Sequence, residues 1–551
     1  MAQRSRFSRW WRTTLLLLAL MGAAAVALVV VHGRSADADA LFATLPASTG
    51  NVVVGRGLGA WMRAMTQLAA QPGAPAELRQ FVGELKDQSA AELGFDATSP
   101  DAWRNAGFDP SGAVGLAGSG KPDDPFAFAY LPVRDADAAR ATLTHALEKH
   151  GATVTAHTGS GAPAWTIDAP GPAAPGQRVP LAFGQAGRFL VIAAGTAGGD
   201  PLAALDAQVS ARGLGATPAL RAVRAAVGEP WTLFGFCAPA LAKQQLTAQR
   251  AEAALGAYAT RGVGAALQID DHAIQLRLRA LGVDPATQLQ LHTPGERPTT
   301  VLGAPYPPSL HLPELPLAVA RLGANLPELV ARVEKSPQGK DDLARARAAL
   351  AVAGLDLQRD VLDPLDGQLA VAVFPPAPGE RSLVDAVVTV GAHHAAAVLA
   401  KLGPALGRLA FVPVSAGPGA ADPWYEGPGL LLGAHGDALV VLGAGAARRE
   451  AWRTAIAQGG DPYWAKIPGT ARQAFEHGPA LYAWADLERA AEQVAHAGVP
   501  GAAAGARVMR SLQSMSVGLD ARGGVLQLDA TLYPPPTGFA QAIAHGPSNK
   551  K

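Results

Sequence analysis

Apolar and polar residues along this chain repeat with a period of two in some stretches and near three and a half in others, which predicts alternating strands and helices. Leu45–Arg56 (LPASTGNVVVGR) is a β-branched run opened by Pro and reads as a strand. Gly59–Gln71 and the stretch to Gly94 carry apolar residues at helical spacing. Ser99 before Pro100 predicts a capped short helix that Gly107 ends. AVGLAGSG and DPFAFAYLPV read as strands around the turn KPDD, and a helix follows from Asp135 to Gly151. AWTID and RFLVIAA are strands, Ala204–Ala226 is helical, and WTLFGFCAP is a strand. AKQQLTAQRAEAAL is a helix, and VGAALQIDDHAIQLRLRAL a hairpin turning at Asp270 and Asp271.

After a Pro-rich passage the same order begins again. LPELPLAVARLGANLPELVARV answers the first strand and helix. LDPLDGQLAVAVFP and LVDAVVTVGAHHAAAVLAKLG answer the next strand pair and helix, and GLLLGAHGDALVVLGAG answers PLAFGQAGRFLVIAAG. ALYAWADLERAAEQ and MSVGLDARGGVLQLDATL answer the late strand, helix and closing hairpin. The expectation is an internal duplication: an α+β chain of two similar halves, each a mostly antiparallel sheet with helices packed on one face. Two such halves would pack as a pseudo-symmetric pair with a binding cleft at their junction.

One stretch fits neither period. Thr13–Val31 (TTLLLLALMGAAAVALVVV) holds no charge, and Arg4, Arg6, Arg9 and Arg12 precede it. As a helix it would reach about 28 Å, close to the hydrocarbon core of a bilayer. The arginines predict a cytoplasmic N-terminus and export of everything after it. The same features describe a cleavable signal peptide ending near Ala36, Ala38 and Ala40, but the run is longer than an ordinary signal h-region. The predicted layout is a basic tail (1–12), a transmembrane anchor (13–31) and a short stalk (32–40). A first domain (41–290), a Pro-rich linker (291–316), a second domain (317–535) and a tail (536–551) follow. This places the chain in a bacterial inner membrane as a single-pass protein with a periplasmic body.

Composition narrows the function classes. Lys and Arg total 46 against 45 Asp and Glu, so no basic excess points to nucleic acid as a partner. The single cysteine, Cys237, excludes an intrachain disulfide and sits among apolar neighbours, as a buried inert thiol does.

Motif-like stretches mostly resolve into turn chemistry. GRGLGA (Gly55–Ala60) follows a strand and opens a helix, as a dinucleotide turn does, but Glu77 lies in a helix with no second strand behind it. GLAGSGKP (Gly115–Pro122) imitates a phosphate loop, with Pro122 in place of the magnesium-binding hydroxyl. His393 and His394 are adjacent, and His145 and His150 are off one helical face, so neither pair has metal-ligand spacing. No nucleophile elbow occurs. The Asp pairs at 123–124, 270–271 and 341–342 fall at turns or helix starts. No catalytic residue, metal or cofactor is predicted. The remaining candidates are Trp424, Tyr425, Tyr463 and Trp464, in DPWYEGPG and DPYWAKIPG, which read as aromatic binding loops or as caps on an Ala-rich core.

The Leu-Pro opening strand, the GFDP and GLDL turns before a glycine-bearing strand, and the repeated layout resemble a group of uncharacterised bacterial envelope proteins known as a domain of unknown function. The likeness spans about Leu45 to Leu532 and implies an N-terminal anchor and duplicated α+β halves, with no catalytic residues to carry over. Two functions are in contention. One is a non-enzymatic envelope module that binds a partner protein or an apolar ligand. The other is an exported hydrolase or transferase whose groups converge only in the fold. Shifted acids gathered in one cleft would favour the enzyme, and a smooth aliphatic groove would favour the binder.

Overall fold

The computed structural model describes residues 37–533 apart from internal segments, the longest being 249–260, 283–309 and 497–508. Thr13–Val31 therefore lies outside the described residues, as do most of the Pro-rich passage and the tail. Among the described residues no helix is long and apolar enough to cross a membrane. The protein is α+β, with extensive antiparallel sheet. It divides into two compact units, one drawn mainly from the chain up to Pro285 and the other from Ala286–Gly523 and Gln527–Tyr533.

Unit 1 contains strands β1 (Thr49–Gly55), β2 (Val114–Ser119), β3 (Ala127–Pro132), β4 (Thr153–His157), β5 (Ala164–Pro170), β6 (Arg178–Ala186), β7 (Phe189–Ala194), β8 (Leu233–Cys237), β9 (Gly262–Ile269) and β10 (Ile274–Leu281). Its helices are α1 (Asp37–Thr44), α2 (Leu58–Ala70), α3 (Ala76–Leu93), α4 (Pro100–Asn105), α5 (Ala136–Lys149), α6 (Pro201–Ser210), α7 (Pro218–Val227) and α8 (Pro239–Ala248). Every pairing is antiparallel, in the order β4-β5-β6-β7-β3-β2-β1-β8-β9-β10. Ser99 accepts from the Ala102 amide to start α4, and Asp135 accepts from Asp137 and Ala138 to start α5, as the caps predict.

The expectation of helices on one face is corrected here. Val52, Val54, Phe234, Phe236 and Ala182 point to one side of the sheet, where Leu41 and Phe42 of α1 and Leu220 and Val223 of α7 meet them. Their strand neighbours point the opposite way. Phe183 and Leu190 pack with Ala139 of α5, and Leu267 and Ile269 pack with Met62 of α2. A strand with apolar residues on both faces needs cover on both, and the helices supply it.

The predicted stalk is corrected as well. Asp37–Ala40 open α1, and Ala38, Leu41 and Phe42 are buried in the unit 1 core. Small and aromatic side chains spaced three and four apart give this short helix one buried face.

Unit 2 contains β11 (Ala318–Gly323), β12 (Leu365–Phe374), β13 (Asp385–Ala392), β14 (Val412–Val414), β15 (Trp424–Gly427), β16 (Leu430–His435), β17 (Ala438–Gly443), β18 (Leu481–Asp486), β19 (Ser514–Arg522) and β20 (Val525–Tyr533) from Gln527 onward. Its helices are α9 (Pro337–Val352), α10 (Ala395–Arg408), α11 (Ala446–Gln458), α12 (Gly469–His477) and α13 (Leu487–His496), with a π-helical turn at Leu357–Leu362. The order is β14-β15-β16-β17-β13-β12-β11-β18-β19-β20. Val319, Val387, Val440 and Trp484 face Trp452 of α11 and Phe475 of α12. Ala395 and Leu399 of α10 cover Leu432 and Leu439 on the other face. The last residues of the expected linker belong to this core: Leu310 and Leu312 are fully buried, and His311 bridges to Pro462. Leucines at alternate positions bury together even in Pro-rich sequence.

Candidate functional site

In unit 2 alternate residues of β12, β11, β18 and β19 line a groove of about 140 Å³ on the sheet face opposite Trp452. Its floor is alanine: Ala318 and Ala320 of β11 stand beside Ala485 and Ala483 of β18. Larger side chains flank them. Val373 and Val371 of β12 pair with Ala318 and Ala320, and Met515 and Val517 of β19 pair with Ala485 and Ala483. The groove thus arises from residue size. Small side chains on two central strands, between larger ones on the outer two, leave a trough along the strand direction. That space admits a short stretch of hydrocarbon, since about 10–15 Å³ on the same measure is enough for one water-sized group. No titratable side chain lines it. Such a lining can hold an apolar group by excluding water and offers no acid, base or nucleophile.

The aromatic candidates lie elsewhere. Trp424, Tyr463 and Trp464 are buried in the unit 2 core, and Tyr425 packs with Leu406 and Leu432 around α10. Trp424 sits on β15, while Tyr463 and Trp464 form a 3-10 turn whose rings meet edge to face at 5.1 Å. Burial pushes the Tyr463 hydroxyl well above its ordinary pKa. The four are not gathered into one exposed surface. The groove escapes sequence reasoning because its signal is a pair of small-residue positions, AVA at Ala318–Ala320 and AWA at Ala483–Ala485, which mean nothing until the strands pair.

The dinucleotide-like turn has no phosphate cradle. The Gly59 amide donates to the Pro110 carbonyl at 2.7 Å, and a Cβ on Gly59 would press on Pro110. Arg56 stacks 3.2 Å from the centre of the Trp231 ring and pairs with Glu229, and this pairing holds the Glu229 carboxyl low. The pairings of β1 are antiparallel, whereas a dinucleotide site requires a parallel neighbour. Of the phosphate-loop imitation, Gly115–Ser119 form β2, and the Gly-Lys-Pro end lies outside the described residues.

Charged side chains inside unit 2 form separate structural pairs. Asp360, buried, accepts from Lys401 at 2.6 Å, from Arg359 at 2.8 Å and from the Asp356 amide at 2.8 Å. These donors, Arg359 foremost, hold its carboxyl well below the usual range. Arg448 bridges Glu314 and the buried Asp385 and lies over Trp452. Asp366 is different: burial pushes its carboxyl up, although the Gln368 amide donates to it at 2.8 Å. It rests on Gly391, where any Cβ would overlap the carboxylate. Among the described residues no three His, Cys, Asp or Glu are placed to hold a metal. His394 occupies the left-handed cap position of α10, and His393 is held through its amide by Pro364.

No family model matches the chain, and no curated protein matches it. Among solved structures it is similar to three crystal forms of TP0453. Forms IV and III each align with a TM-score of 0.24, at 10% and 11% identity, covering 42% of this chain and 91% and 94% of theirs. Form I aligns with a TM-score of 0.22 at 11% identity, covering 42% of this chain and 92% of its own. Likenesses at these scores carry no argument about this chain.

Proposed function

We propose that the chain is a membrane-anchored, exported protein of the bacterial envelope that binds an apolar ligand rather than catalysing a reaction, and that its two units are copies of one α+β fold. The groove over Ala318, Ala320, Ala483 and Ala485 carries the binding reading: it is aliphatic, bordered by Val and Met, and free of titratable groups. The shifted acids of unit 2, Asp360, Asp366 and Glu450, are tied into separate local contacts and none lines the groove, and Glu229 of unit 1 is paired with Arg56. That arrangement favours the binder over an exported hydrolase or transferase.

The duplication is supported by strand order. Replacing β1 through β10 by β11 through β20 turns the sheet order of unit 1 into that of unit 2. The tether reading draws on the charge-free run Thr13–Val31 and on α1. A signal cleavage near Leu41 would cut α1 through its buried face, between Ala38 and Phe42. The inner membrane is then the first partner, with the body on its periplasmic side.

The test is to purify the full chain from solubilised membranes and identify co-purifying apolar molecules by mass spectrometry. Wild type is expected to carry one, and Ala320→Trp and Val371→Asp to lose it with unchanged circular dichroism. A wild type that carries nothing and binds no fluorescent fatty acid would overturn the reading.

A further inference from the structure

All the large hydrophobic side chains that unit 2 exposes among its described residues lie at one end of its sheet: Val352 (76% exposed), Leu409 (66%), Val412 (58%), Val384 (47%) and Leu430 (39%). The registers bring them together. Val384 precedes β13, which begins beside the end of β12; Gly443 at the end of β17 pairs with both Ala386 and Leu430. Leu430 then pairs with Gly427, next to Glu426, the partner of Val412. Leu409 caps α10 at the same end, and the Arg408 guanidinium beside it donates to the Val352 carbonyl at 2.7 Å.

We infer that this end of unit 2 is a membrane-contact surface that inserts its aliphatic side chains into the outer boundary of the lipid bilayer. Exposed apolar residues concentrated at one end of a sheet, on both of its faces, mark an interaction site, and the charged groups at this end are paired or hydrogen-bonded. Arg448 is turned onto Asp385 and Glu314, Arg449 pairs with Glu426, and Arg408 satisfies a helix-terminal carbonyl. The occupant is a bilayer and not a second protein because the chain carries its own route to one. Thr13–Val31 is apolar over a bilayer's thickness and ends six residues before α1 begins at Asp37. A tethered body meets lipid at high effective concentration, so a few aliphatic side chains are enough to hold an orientation. The groove points the same way, since Ala318, Val373, Ala485 and Met515 stand at the end of the sheet that carries Val384. An acyl chain leaving the bilayer there would enter it along the strands. This inference rests on the tether reading above.

The test uses the full chain with Cys237→Ser, reconstituted in phosphatidylcholine–phosphatidylglycerol vesicles. A polarity-sensitive fluorophore is placed in turn at Leu409→Cys, Val412→Cys, His435→Cys at the opposite end of the sheet, and Val26→Cys in the apolar run. Labels at 409 and 412 are expected to shift to the blue, be quenched by shallow spin-labelled lipid and lose quenching by aqueous iodide. The label at 435 is expected to stay aqueous. If 409 and 412 are as wet as 435 while 26 is deeply quenched, the contact surface is refuted and the tether stands. If 26 is also wet, both fall. Protection of 409 and 412 from iodide without quenching by spin-labelled lipid would assign the surface to a protein and overturn the inference.

Discussion

Asp366 is a carboxylate that the fold makes expensive. It is buried at the irregularity between Leu365 and Leu369, on the bare backbone of Gly391, with the Asp437 charge adding to its burial and His393 opposing it. A carboxyl whose folded pKa is raised costs stability when ionised. The cost is present above the folded pKa and absent below the unfolded value of about 3.9. Asp366→Asn keeps the oxygen that accepts from Gln368 and is expected to raise the melting temperature at pH 7.5, with the gain vanishing near pH 3. Equal gains at both values would assign the effect to packing. Asp360 has the opposite sign, because its depressed pKa contributes stability above the unfolded value and loses it as pH falls. Neither role is legible from the sequence. Both residues sit among ordinary turn-forming neighbours, and what separates them is whether Arg359 and Lys401, or Gly391, stand alongside.

At the scale of elements the apolar periodicities place most strands and helices where they are found, including the Ser99 and Asp135 caps. Three strands that the periodicities miss share a cause. β4, β14 and β15 are short and lie at the outer margin of their sheets, where β14 and β4 have a partner on one side only. Half-exposed edge strands lack the buried alternation that makes a strand visible. Trp424 is hidden this way, in a Pro/Gly-flanked segment that reads as a loop. Trp464 holds the turn before α12 by packing on Phe475 and donating to Glu476 at 3.2 Å. Trp464→Ala is expected to cost about 3–5 kcal/mol in urea unfolding, while apolar ligand is still carried below the transition. Loss of ligand with no loss of stability would instead return Trp464 to a binding role.

For the whole molecule, a helical N-terminal segment packed into unit 1 makes the site of processing a structural matter. Intact-mass measurement of the chain from its native membrane is expected to find Thr13–Val31 retained. A chain beginning near Leu41 would show that α1 is trimmed and the tether discarded. Covered sheet faces leave the groove and the aliphatic end of unit 2 as the distinctive apolar surfaces described for that unit, and both are made by strands far apart in sequence.

That distance separates what neighbouring residues dictate from what they cannot. The sequence alone determined the α+β alternation, the recurrence of element order and the apolar run, because each is carried by residues within a few positions of one another. Tertiary structure decided that helices cover both faces, that Trp424, Tyr463 and Trp464 are core, and that four alanines form a floor. Ala318 and Ala485 belong to segments more than 160 residues apart, and only the β11–β18 register sets them side by side. A trough, unlike a period, exists only between strands.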